Sequence, residues 1–90
     1  MKDNMPHRVL LHPYVTEKTL NLMEKEELNS LVFIVKEGST KPEIRKAFED
    51  LFEVKVQSVN VKHTRFGKMA IIKLTGDYSA EDVGMRIGIF

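Results

Sequence analysis

The sequence predicts a single α/β domain, a four-stranded sheet with helices on both faces, and three observations carry that expectation. The run Leu31-Val32-Phe33-Ile34-Val35 is apolar at every position, and a strand apolar on both sides has to be covered on both sides. The segment that follows it carries the sharpest helical pattern in the chain. Beyond that, two β-rich runs joined by a short polar tip read as a hairpin, which keeps its two strands side by side in one sheet. The element order is β-α-β-α-β-β-α.

Arg8 to His12 forms a short edge strand, ended by Pro13, whose ring removes a ladder donor and biases its predecessor toward extended geometry. Thr16 offers a side-chain oxygen to the free amides of a first helix, Glu17 to Met23, with Glu17 at the positive end of the dipole. Leu20 and Met23 form its buried side. Glu24, Glu26 and Glu27 interrupt the pattern, and a strand follows from Leu28 to Lys36. Thr40 and Glu43 then stand as a capping box with Pro42 in the first turn, and Ile44, Ala47, Phe48 and Leu51 recur at i, i+3, i+4 and i+7. A helix from Lys41 to Phe52 follows, with Lys41, Arg45, Lys46, Glu49 and Asp50 off the apolar stripe.

From Val54 to Thr64 the valines at 54, 56, 59 and 61 change phase after Val56, as in a strand with a bulge or one covered on both faces. Arg65, Phe66, Gly67 and Lys68 form the hairpin tip, and Met69 to Thr75 returns as a strand. Gly76 and Asp77 turn the chain. Ser79 and Asp82 start a last helix, whose stripe Ala80, Val83 and Ile87 ends at Gly88.

Ninety residues suit one hydrophobic core, so residues 1–90 are expected to form one domain. With 42% apolar and 30% charged residues the chain should fold. It has no cysteine, which excludes disulfides, thiolate nucleophiles and cysteine metal sites. No apolar stretch follows the N-terminal Lys2, and Leu31 to Val35 is too short to span a bilayer, so a cytoplasmic protein without membrane insertion is expected. The histidines at 7, 12 and 63 lack metal-ligand spacing, Gly67 stands outside any phosphate-cradling run, and the adjacent carboxylates Glu26-Glu27 and Glu49-Asp50 diverge on a helix. No metal, cofactor or catalytic activity is expected.

The net charge of +1 conceals an asymmetry. Between Val54 and Gly76 there is no acid, while Lys55, Lys62, Arg65, Lys68 and Lys73 all fall there, so this stretch carries +5 and the remainder −4. Such a distribution fits a polyanion on one surface. The same lysines would also serve as guards against edge-to-edge pairing of exposed strands. Phe66 at the tip is placed either to stack on a base or to tuck against the hairpin. A stand-alone protein-binding or small-ligand regulatory domain whose hairpin meets an acidic partner is the competing class, and an enzyme rests on fold analogy alone.

Four stretches together resemble the universal large-subunit ribosomal protein L twenty-three family: Pro13-Tyr14-Val15-Thr16-Glu17-Lys18, Leu31 to Val35, Thr40 to Phe48, and Leu51 to Asn60. Gly67-Lys68, the strand Ala70 to Leu74 and the ending Ile87-Gly88-Ile89-Phe90 resemble the short archaeal form. The resemblance covers nearly the whole chain. It implies an antiparallel four-stranded sheet in an α/β/α sandwich, a ferredoxin-like plait, and a structural constituent of the large subunit. That constituent would bind the third domain of the large rRNA at the polypeptide exit tunnel, beside neighbouring ribosomal proteins. By the same resemblance Thr16, Lys18, Lys36, Lys41, Arg45, Asn60, Lys62, Arg65 and Lys68 belong to the rRNA side. Glu17 would face away from the RNA and dock nascent-chain factors such as signal recognition particle, with Phe52 supplying apolar area and Glu53 a second charge. Two features depart from the family pattern: Met69 and Ile71 stand where basic and aromatic residues are usual, and the hairpin is too short to reach into the tunnel as the long bacterial loop does.

Overall fold

The computed structural model describes residues 9–89; His7, Arg8 and Phe90 lie outside the described residues. The strands are β1 (Leu10–Pro13), β2 (Ser30–Val35), β3 (Val56–Thr64) and β4 (Gly67–Leu74), and the helices are α1 (Glu17–Glu24), α2 (Lys41–Phe52) and α3 (Ala80–Arg86). Neighbouring strands are antiparallel throughout, in the order β1-β2-β4-β3. The return strand of the hairpin is thus inserted into the β2-α2-β3 crossover, the split βαβ arrangement of a plait.

Local chemistry sets most boundaries. α2 starts at a reciprocal capping box, in which the Thr40 hydroxyl accepts from the Glu43 amide at 3.3 Å and Glu43 Oε1 accepts from the Thr40 amide at 2.8 Å. α1 uses the same device with a threonine at the third position: the Thr19 hydroxyl accepts from the Thr16 amide at 2.7 Å. β2 begins at Ser30 rather than Leu28, because the amides of Leu28 and Asn29 both donate to the Lys25 carbonyl and Asn29 adopts φ 42°. Asn29 also fastens α3, since its Oδ1 accepts from the Ala80 amide at 2.8 Å and its Nδ2 donates to the Tyr78 carbonyl at 2.9 Å. The hairpin tip is tighter than the sequence implies. Thr64 pairs with Gly67, leaving only Arg65 and Phe66 in the turn, and Gly67 at φ 117° takes a conformation that other residues rarely adopt.

All six residues of β2 are buried, and they alternate between two apolar layers. Leu31, Phe33 and Val35 face α2 and α3, where Ile44, Ala47, Phe48, Phe52, Ala80 and Val83 close the main core. Val32 and Ile34 face the other way, against Met69, Tyr14, Leu22 and Ile71. Helix α1 contributes to both layers, with Leu22 on the second and Met23 in the main core. Thr19 is buried beside Met23, whereas Leu20 is only partly buried.

One core assignment changes. Leu51, expected on the stripe, is 48% exposed, and Phe52 is buried instead. The Phe52 ring lies 4.6 Å from Phe48 and 6.2 Å from Phe33, so the last turn leans toward the aromatic cluster and leaves Leu51 outside. In β3 the register shifts between Val56 and Ser58, which accounts for the change of valine phase.

Candidate nucleic-acid interface

The bulge decides which side chains of β3 share a face. Beyond it Ser58, Asn60, Lys62 and Thr64 pair with Lys73, Ile71, Met69 and Gly67. Side chains alternate along a strand, so these positions share the face of the second, smaller apolar layer. Across that layer β1 ends at Pro13, Tyr14 follows, and α1 begins, bringing Thr16, Glu17 and Lys18 to the same side. The result is a cleft of about 540 Å³. Val32, Met69, Ile71 and Leu22 form its apolar part, Tyr14 and Phe66 its aromatic part, and Lys18, Lys62, Glu17, Thr16 and Thr64 its polar part.

Phe66 leaves the tip and comes back toward Tyr14, with ring centroids 5.9 Å apart, while the Arg65 guanidinium sits 5.1 Å from the Phe66 centroid. The ring is still 56% exposed. The Thr64 hydroxyl fixes the turn beneath it, accepting from the Phe66 amide at 3.1 Å and donating to the Gly67 carbonyl at 2.9 Å.

The residues expected on the rRNA side do not form one surface. Thr16, Lys18 and Lys62 meet in the cleft, with Asn60 on the same strand face and Arg65 at the tip. Lys68 pairs with His63 on the opposite face, where its ammonium donates to the Ser39 carbonyl and His63 lies 3.8 Å from Glu37. Lys41 and Arg45 border a shallow recess beside Val59 at the α2–β3 side, and Lys36 lies with Ser39 and Glu43 near the end of β2.

Arg45 has a structural task. Its Nη2 donates to the Val56 carbonyl at 2.6 Å, the Val56 amide donates to Glu49 Oε2 at 2.8 Å, and the two side chains approach to 3.6 Å. One turn of α2 therefore satisfies both backbone groups of Val56, next to the bulge.

The acidic positions are placed differently from expectation. Glu17 does not face away from the cationic group; it lines the same cleft as Lys18 and Lys62. Phe52 supplies no surface, because its ring completes the core aromatic cluster. Glu53 is exposed at the end of α2, where it holds the left-handed conformation at φ 56°. Tyr14, Leu22, Met69 and Ile71 were not expected in the site. Met69 and Ile71, which together make one of the two departures from the family pattern, supply the apolar floor of the cleft.

Among the described residues no group of three or more His, Cys, Asp or Glu side chains could hold a metal ion, and no helix is long and apolar enough to cross a membrane.

Comparison with known proteins gives one consistent answer. The family model for ribosomal protein L23 matches residues 8–80. A large ribosomal subunit protein uL23 from Methanothermobacter thermautotrophicus is 46% identical over 86 residues, covering 94% of this chain and 98% of the relative. Those from Picrophilus torridus and Methanobrevibacter smithii are 47% and 41% identical, covering 90% and 93% of this chain and 96% of each relative.

Proposed function

This chain belongs to the ribosomal protein L23 family, and from that premise we propose that it binds large-subunit rRNA through the cleft face of its sheet. As a member it is a structural constituent of the large ribosomal subunit rather than an enzyme, ribosome-bound in the cytoplasm, with rRNA and neighbouring ribosomal proteins as partners. The observation that carries the finer reading is the meeting of Lys18 from α1 and Lys62 from β3 in one recess, with Asn60 on the same strand face and Arg65 against the Phe66 ring. Phosphate contacts account for most of the affinity of such surfaces. Thr16 contributes by fixing the start of α1, which positions Lys18. In the same reading Lys36 and Lys41, on other sides of the domain, meet other RNA segments. Arg45 and Lys68 act first on the fold.

In this reading the bound RNA is the third domain of the large rRNA near the exit tunnel. Glu17, which lines the cleft but stays exposed in the first turn of α1, and Glu53 present carboxylates to factors that meet nascent chains, such as signal recognition particle, and Phe52 acts only by supporting the backbone at Glu53. The test is reconstitution with a transcript of that rRNA domain. The wild-type protein should co-sediment with large subunits through a high-salt wash. Its affinity for the transcript should fall with salt at a log–log slope of roughly 0.7–0.9 per phosphate contacted. Binding that ignores salt would overturn the assignment.

A further inference from the structure

A surface that only neutralises phosphates needs no recess and no apolar floor. This one has both. Val32, Met69 and Ile71 lie beneath a cleft of about 540 Å³, within the roughly 300–1,000 Å³ typical of small-ligand sites. One wall is the Phe66 side chain, left 56% exposed with its ring 5.9 Å from that of Tyr14, on a turn whose backbone the two Thr64 hydrogen bonds fix. Lys18 and Lys62 line the same cleft, and Arg65 lies over the Phe66 ring. Glu17 is the one carboxylate among the cleft's lining residues.

An apolar floor and a partly exposed ring suit a flat, weakly hydrated group, whereas the lysines suit an anion. A nucleotide joins the two. Within RNA, the base gains by leaving water for an aromatic face, and only an unstacked base can reach one. We propose that the cleft above β2 and β4 seats a single unstacked RNA nucleotide, its base against Phe66 and its phosphate on Lys62. This rests on the rRNA-binding reading above and specifies which part of the RNA this face takes. Because the turn backbone is already fixed beneath the ring, seating the base orders little of the main chain, which favours binding.

The test compares Phe66→Leu, Phe66→Trp and Lys62→Ala for binding to a transcript of the third domain of an archaeal large-subunit rRNA over a salt series. Phe66→Leu should weaken binding by about 5- to 100-fold with an unchanged salt slope, because stacking releases no counterions. Phe66→Trp should bind like the wild type. Lys62→Ala should weaken binding and lower the slope by roughly 0.7–0.9. Short-wave ultraviolet cross-linking of the wild-type complex should place a nucleotide adduct on Tyr14 or Phe66, a readout that holds even if Phe66→Leu proves unstable. Wild-type binding by Phe66→Leu, or adducts confined to other residues, overturns the nucleotide seat while a weakened Lys62→Ala leaves the RNA face standing. If Lys62→Ala also binds like the wild type, both assignments fall.

Discussion

Lys62 and Lys68 flank the same turn and face opposite sides of the sheet, so their removal should have opposite consequences. Lys68→Ala loses a charge-assisted bond to the Ser39 carbonyl and should cost about 1–2 kcal/mol in a urea titration, with rRNA affinity little changed. Lys62→Ala should leave the unfolding midpoint in place, since the side chain is exposed, and weaken transcript binding. A Lys68→Ala variant as stable as the wild type, yet defective in RNA binding, would reverse the assignment. The sequence marks both lysines as basic but leaves their faces open, because the bulge between Val56 and Ser58 shifts the strand by one residue and a one-residue slip turns every later side chain to the other face. Phe52 and Glu53 make the same point: adjacent in sequence, they end one in the core and one in solvent.

At the scale of elements, α2 shows what is legible and what is not. Its ends follow from residues within four positions of each other, and the observed Lys41–Phe52 matches the expected span. Its packing face depends on where Phe33 lies, which no local pattern states. Phe48→Ala should cost ~3–5 kcal/mol, since the ring is fully buried and contacts both Phe33 and Phe52. Leu51→Ala, on an exposed position, should stay within about 0.5 kcal/mol of the wild type. Comparable losses at both positions would contradict the observed face. The bulge in β3 was legible because four valines report the phase. The Arg45–Glu49 grip on Val56 was not, because its partners come together only when the α2–β3 connection folds back on the helix. The cleft is a similar case. Its cations were visible in the sequence, whereas its floor comes from β2, β4 and α1, elements that meet only in the folded chain.

Over the whole molecule the charge asymmetry becomes a polarity along β4. The turn at one end carries Arg65, while beyond Leu74 the chain joins an acidic cleft bordered by Glu24, Glu26, Asp77, Glu81 and Asp82. On a body of 37 × 28 × 21 Å this separation orients the domain as it approaches a polyanion. Glu17 is an exception, a carboxylate within the cationic cleft, and Glu17→Lys tests its proposed docking role. Subunit incorporation should persist, while recruitment of signal recognition particle to the variant ribosomes slows at low salt and approaches the wild-type rate at high salt. Wild-type recruitment at low salt would leave Glu17 only its place at the helix start, worth ~0.3–1 kcal/mol. The threading of β4 between β2 and β3 also governs timing. During synthesis β2 can pair only with β1, and β3 waits for β4, so the middle of the sheet stays open until residue 74 has been added. Closing it joins positions as far apart as Ser30 and Lys73, a long loop whose entropic cost falls due late. The sheet therefore closes only once β4 has been made, so a receiving partner meets it assembled rather than as an emerging strand.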